Sequence, residues 1–288
     1  MTLEITPMGA ALGAVVSGLD LSQKLAAETV ERLRNAWLEH IVLVYHGQDL
    51  SDPQLLDFTR YFGELEYPPS KLLNYSQGSG QKDDIPLEIN VISNVIENGK
   101  KIGQLGNAEA KWHTDTPFVE RPPAASILHA WELPPSGGNT CFMNMYAVLE
   151  ALPAELLAKI DGKKCKHDVS HTSDGVLRHD YDDSPDAKSC PGPWHPMIRT
   201  HPDSGRKALY LGKRAWAYIE GTTTEENEEI LDAIWAIAER PEFVYEHVWT
   251  QGDVLMWDNR CAMHRRDEFD GSQRRIMHRS QLRGDIPV

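Results

Sequence analysis

The feature that most constrains this chain is a separation. His113 and Asp115 stand two residues apart in Trp112-His113-Thr114-Asp115, and His264 comes 149 residues after Asp115. In an extended strand, residues two apart point to the same side, so His113 and Asp115 share a face while Thr114 turns away. For these three side chains to act together, His264 must arrive on a different strand or loop. Two imidazoles and a carboxylate form a three-donor face that leaves half of an octahedral iron(II) open to small ligands. Zinc takes the same donors, so ligand types alone leave the metal open. A His-x-Asp triplet is a weak pattern in a chain with twelve histidines. His167-Asp168 and His179-Asp180 represent the background and read as solvated loop.

The surroundings of His264 strengthen the pattern. The approach from Val254 to Met263 begins as an apolar strand and becomes polar, which places His264 at a barrel mouth. Beyond it, Arg274 to Gln281 alternates with a period of two. Arg275, Met277 and Arg279 share one face, and Ile276 and His278 share the other. Two guanidiniums on one face suit bidentate carboxylate binding. Arg275, eleven positions past His264, is placed to hold the distal carboxylate of a keto acid that chelates the metal. The plainer alternative is a sheet-surface arginine pair neutralised by some of the chain's 43 acidic residues.

At 288 residues, 41% of them hydrophobic and 25% charged, the chain is long and apolar enough for a sizeable core without disulfide staples. A single domain over residues 1–288 is the simplest division. The net charge of −14 argues against a nucleic-acid or anionic-membrane partner. It leaves room for an anionic small molecule, because local arginines override a global field. Cys141, Cys165, Cys190 and Cys261 form no Cys-x-x-Cys pair. The start of the chain lacks the basic and apolar runs of a signal peptide, and no stretch approaches the roughly 18 apolar residues of a membrane span. A cytoplasmic location follows as the expectation.

Helical spacing covers Ala27 to His40, and Ile41 to Tyr45 reads as a buried strand. Ser51-Asp52-Pro53 opens a helix that should stop at Gly63. Leu87 to Ser93 alternates like a half-buried strand. Strands are expected over Ala125 to Trp131, Thr140 to Met143, Ala208 to Leu211, Phe243 to Trp249, Val254 to Trp257 and Arg275 to Arg283. Leu149 to Ile160 and Thr224 to Glu239 read as helices. Residues 66–110 and 166–196 are rich in loop chemistry and are candidate substrate loops. Many short strands with flanking helices favour a mostly β fold with a barrel or jelly-roll core.

Four segments carry a family resemblance. They are Trp112-His113-Thr114-Asp115, Pro135-Ser136-Gly137-Gly138-Asn139-Thr140, Gly252-Asp253-Val254-Leu255-Met256-Trp257-Asp258-Asn259-Arg260 through His264, and Arg274-Arg275 through Arg279. On them the chain resembles the taurine / 2,4-dichlorophenoxyacetate dioxygenase family of iron(II)- and 2-oxoglutarate-dependent oxygenases, over nearly its whole length. The resemblance implies a double-stranded β-helix, or jelly-roll, core. It implies His113, Asp115 and His264 as iron ligands, and Thr140 and Arg275 as the site of the far carboxylate of 2-oxoglutarate. Trp257 would line that pocket. Arg279 would face an anionic group of the substrate, and Phe118 would stand beside the iron. The implied reaction consumes O₂, gives succinate and CO₂, and hydroxylates a small anionic substrate such as an aryloxyalkanoate-like carboxylate, an alkyl sulfonate or a sulfate. Family members often form dimers or tetramers.

The chain also departs from the family pattern. Asn139 stands where an acid is usual. No His follows Phe62-Gly63 where taurine enzymes have one, and Glu109 replaces an Asn, which puts taurine in doubt. Lys71 and Tyr67 could replace that missing contact, though a solvated Lys and a packing Tyr are the preferred readings. A zinc hydrolase on the same triad and a non-catalytic jelly-roll binding protein are the competing classes.

Overall fold

The computed structural model describes residues 2–9, 11–68, 85–104 and 106–288. The fold is mostly β with flanking helices. Among the described residues the larger sheet has eight strands. Seven of them run in the spatial order Glu4–Pro7, Ala14–Ser17, Val42–Tyr45, Val254–Asp258, Ala125–Glu132, Ile276–Leu282 and Leu65–Glu66; Asn90–Ser93 also pairs with Ile276–Leu282. A smaller sheet runs Val244–His247, Thr140–Asn144, Ala262–Arg266, Ala110–His113. Its pairings are all antiparallel.

Alternation along the strands explains the layering. Val254 and Met256 pack outward beneath helices Ala27–His40 and Asp52–Arg60, against Leu33, Trp37, Leu55 and Phe58. Leu255 and Trp257 face inward with Leu128 and Met277, against Phe142, Met143 and Met263 of the smaller sheet. The Trp257 and Phe142 rings meet at 5.4 Å. A one-residue slip of this strand would exchange the two cores. Burying a side chain of this size stabilises by about 1.5–3 kcal/mol, so the inner core fixes how closely the two sheets approach.

Several expectations are corrected. The helix read over Leu149 to Ile160 is two helices, Met145–Ala151 and Ala154–Ile160. Pro153 holds Leu152 extended, at ψ 133°, as a residue before proline must be, and Asn144 caps the first helix with its side-chain oxygen on Tyr146 N–H and Ala147 N–H. The second helix of the chain ends at Arg60, before Gly63. The strand expected from Leu87 is Asn90–Ser93, and all four residues are buried. Its ladder lies on Ile276–Leu282, and Gly103 crosses so close that a Cβ there would sit 2.7 Å from the Val91 carbonyl oxygen. His167-Asp168 is buried, not solvated. Asp168 accepts hydrogen bonds from the Ser170 and His171 backbone N–H groups and lies 3.4 Å from Lys213 Nζ. His179-Asp180 is exposed as expected. The four cysteines are buried and free. No helix among the described residues is long and apolar enough to cross a membrane.

Candidate metal centre

The smaller sheet closes the long separation between the ligands. Ala110–His113 pairs antiparallel with Ala262–Arg266, and His264 lies directly opposite His113 in the register. Their ring centroids are 4.2 Å apart. Asp115 follows two residues on, with Oδ1 3.8 Å from His264 Nε2. One donor atom from each residue can be chosen so that all three lie within 4.8 Å of one another. His113 Nδ1 sits 2.6 Å from the Lys111 carbonyl oxygen. A proton on that nitrogen donates to the carbonyl and leaves Nε2 as the lone-pair donor, the usual way a ligating imidazole is oriented.

Asp115 is held from the larger sheet. Arg279 Nη1 donates to Oδ1 at 2.6 Å, and Ser126 Oγ donates to Oδ2 at 2.5 Å. Ser126 in turn accepts from Asn259 Nδ2 and Gln281 Nε2, each at 3.0 Å, and Trp257 Nε1 donates to Asn259 Oδ1 at 2.9 Å. The next turn is strained: Thr116 has φ 48°, where β-branched residues are rare. His195 Nε2 lies 2.9 and 3.2 Å from the Pro117 and Val119 carbonyl oxygens and steadies that loop.

These contacts set the charge states. Burial opposes ionisation of Asp115, but Arg279, the two imidazoles and Ser126 outweigh it and pull its carboxyl down to about 2. Burial, reinforced by His113, drives His264 down to about 3. Burial also lowers His113, against the pull of Asp115. Two neutral imidazoles and one carboxylate are the donor set that a divalent metal requires.

A small cavity of about 50 Å³ adjoins the triad, lined in part by Thr140, Trp257, His264, Arg266 and Arg275. Arg275 is only 2% exposed. Its Nη2 reaches the Gly138 carbonyl at 3.3 Å, its Nε has no partner, and among the described residues it forms no ion pair. The surface-pair alternative instead describes its neighbour Arg274, which bonds Glu132 at 2.7 Å. Burial, then the nearby Arg266, push the Arg275 pKa down to about 9. An unpaired buried cation costs several kcal/mol, so the cavity calls for an anion. Gly138 makes room for this guanidinium. Its φ is +68°, and a Cβ would lie 3.1 Å from Arg275 Nε. The Thr140 hydroxyl accepts from Trp249 Nε1 at 3.0 Å, which leaves its own proton to donate.

A second, larger cavity of about 210 Å³ opens on the other side of His113 and Arg279. It is lined by Asn90, Lys101 and Gln104, by Thr116 to Phe118, and by His171, Arg178 and Lys213. The Arg178 guanidinium lies 4.9 Å above the Phe118 ring. Lys213 is buried, donates to the His171 carbonyl, and is drawn down to about 8 by burial against the pull of Asp168. The structure therefore gathers all eight sequence-derived residues around two adjoining cavities. Sequence reasoning missed Ser126, Asn259, Lys101, Arg178 and Lys213. Asn259 lies in a segment that carries the family resemblance, and Lys101 and Arg178 lie in the two candidate substrate loops. Glu109 lines neither cavity and pairs with Arg265 at 3.7 Å. Tyr67 is exposed and lines neither, and Lys71 lies outside the described residues.

The family model described as "Taurine catabolism dioxygenase TauD, TfdA family" matches residues 4–281. The chain is 34% identical, over all of both chains, to an alpha-ketoglutarate-dependent 2,4-dichlorophenoxyacetate dioxygenase of Cupriavidus pinatubonensis. It is 35% identical to pentalenolactone F synthase of Streptomyces avermitilis, with 97% of this chain and 94% of that one covered. Among solved structures, AAD-2 in complex with Mn(II) and N-oxalylglycine matches with a TM-score of 0.80 and 32% identity, over 100% of this chain and 99% of that one.

Proposed function

We propose, from the premise that this chain belongs to the TauD/TfdA dioxygenase family, that it hydroxylates a small anionic organic substrate at the centre formed by His113, Asp115 and His264. It is an iron(II)- and 2-oxoglutarate-dependent dioxygenase. The observation that carries the site assignment is Arg275, a buried guanidinium without an acid, beside a triad of metal donors. A zinc hydrolase leaves that cation unexplained, and the intact set of metal donors argues against a non-catalytic binding protein.

When bound, iron(II) and 2-oxoglutarate with O₂ supply the oxidising power, giving succinate, CO₂ and a hydroxylated substrate. The residues of the chain do the rest. His113, Asp115 and His264 hold the metal. Ser126 and Arg279 orient the Asp115 carboxylate, and the Lys111 carbonyl orients His113. Arg275 and the Thr140 hydroxyl bind the far carboxylate of 2-oxoglutarate, with Trp257 closing that cavity to water. Arg279 and Phe118 face the substrate in the larger cavity, which Lys101, Arg178 and the Asp168-paired Lys213 also line. Anionic groups therefore fit: an aryloxyalkanoate-like carboxylate, as in the Cupriavidus relative's name, or an alkyl sulfonate or sulfate. Taurine is disfavoured by the missing His after Gly63.

The two facing sheets support a double-stranded β-helix core, and residues 1–288 make one domain. Both proposed substrate loops, 66–110 and 166–196, contribute walls to the larger cavity. We place the enzyme in the cytoplasm as a dimer or tetramer. The deciding experiment supplies anaerobically iron-loaded protein with 2-oxoglutarate and a panel of organic acids, sulfonates and sulfates, then admits O₂ and measures succinate. Substrate-dependent succinate is expected for at least one anion. A folded, iron-loaded protein that couples none of them to succinate overturns the substrate class.

A further inference from the structure

The keto-acid cavity holds one more cation than its assigned chemistry uses. Arg266 lies directly opposite Thr140 in the pairing of Ala262–Arg266 with Thr140–Asn144, while His264 lies opposite Phe142. Directly opposed residues project from the same face, so Arg266 stands on the cavity side beside Thr140. It is 7% exposed and lines the same small cavity as Arg275. Both guanidiniums approach the Phe269 ring, at 5.4 and 5.9 Å from its centroid. Arg266 Nη2 donates to the Ala108 carbonyl, its Nε has no partner, and no carboxylate among the described residues lies within ion-pair distance of it.

Two like charges buried around one small space repel each other. A carboxylate between them removes that repulsion and satisfies donors that are otherwise orphaned. We propose that Arg266 is a second guanidinium for the far carboxylate of 2-oxoglutarate, acting with Arg275 and Thr140, and that it sharpens selection of a dicarboxylic cosubstrate over monocarboxylic keto acids. This rests on the assignment of the cavity to 2-oxoglutarate above. Arg266 is a binding residue for the cosubstrate's remote end and takes no part in the oxidation.

The test is calorimetric binding of 2-oxoglutarate and of 2-oxobutyrate, which lacks the far carboxylate, to Mn(II)-loaded protein without O₂. Arg266→Met should weaken 2-oxoglutarate roughly ten- to hundred-fold, the equivalent of one or two charge-assisted hydrogen bonds, and leave 2-oxobutyrate unchanged. Arg266→Lys should recover part of the loss. Unchanged 2-oxoglutarate affinity in Arg266→Met, with affinity lost in Arg275→Met, overturns the role of Arg266 alone. Unchanged affinity in both variants overturns the cavity assignment itself. If Arg266→Met does not fold, Arg266→Lys decides: it should bind 2-oxoglutarate several-fold more weakly than the parent at equal 2-oxobutyrate affinity, and equal affinity for both acids overturns the proposal.

Discussion

The two cavities that meet at His113 and Arg279 are built from different material. The smaller is walled by strand residues: Thr140, Trp257, His264 and Arg266 sit within paired strands, and Arg275 stands one residue before Ile276–Leu282. The larger draws most of its wall from connecting segments, including Gln104, Thr116 to Phe118, His171 to Ser173, Arg178 and Lys213. A sheet fixes a side chain by its register with two neighbours, whereas a loop tolerates substitution and insertion. Under the proposed function, the pocket that takes the keto acid is thus locked into the ladder, and the pocket that takes the substrate is built where change costs least.

Removing a metal donor should damage both cavities at once. His264→Ala and Asp115→Ala should abolish succinate formation and Mn(II) binding together. Activity with intact Mn(II) affinity would detach the triad from the comparison. Next in size, Arg275→Met should raise the KM for 2-oxoglutarate roughly a hundred-fold, as expected for a charge-assisted contact of about 2–5 kcal/mol. The KM for the organic substrate should stay put, and a change in the wrong KM would merge the two pockets. Ser126→Ala strips Asp115 of one hydrogen bond and leaves Asn259 and Gln281 without their acceptor. Loss of such support typically costs about 10–100-fold in metal affinity, readable by competition with a fluorescent chelator. On the loop side, Lys101→Ala should shift only the substrate KM, and by less than about ten-fold, since an exposed charge contributes about 0–1 kcal/mol.

A last effect is read on stability rather than on either KM. The neutral His264 ring is favoured in the fold, so its contribution is complete above pH 6.5 and is lost as pH falls from there toward about 3, where the folded protein protonates too. Urea unfolding of the metal-free protein should therefore show stability dropping below pH 6.5, and His264→Ala should flatten that slope by up to about 1.4 kcal/mol per pH unit. An unchanged slope would mean that the ring is hydrated.

The difference between the two cavities also explains what could be read in advance. The unbroken apolar run from Val254 to Trp257 announced its strand, because each residue serves one of two cores. His113, Asp115 and Arg275 were legible because spacings of two and a strand period carry positional meaning. Pro153 was legible and overlooked: the apolar spacing from Leu149 to Ile160 continues through it, yet a proline ends the extended residue before it outside any helix. Arg266 could not be singled out, since Arg265-Arg266 reads as a polar strand end until Thr140 is laid opposite. Asp168 looked solvated because its partner Lys213 is remote in sequence and carries no periodic signal. Ser126 sat inside an apolar run, and only the neighbouring strands show that its hydroxyl faces Asp115.

Arg279 gives one of its nitrogens to Asp115 and borders both cavities. Its hydrogen bond draws electron density from the carboxylate and would make it a weaker donor to a bound metal. An anion that drew the guanidinium toward the open cavity would loosen its hold on Asp115. Under the proposed function, one guanidinium would therefore have to serve the carboxylate of the metal site and an anion in the outer cavity at once, which a neutral substrate of the same shape would not ask of it.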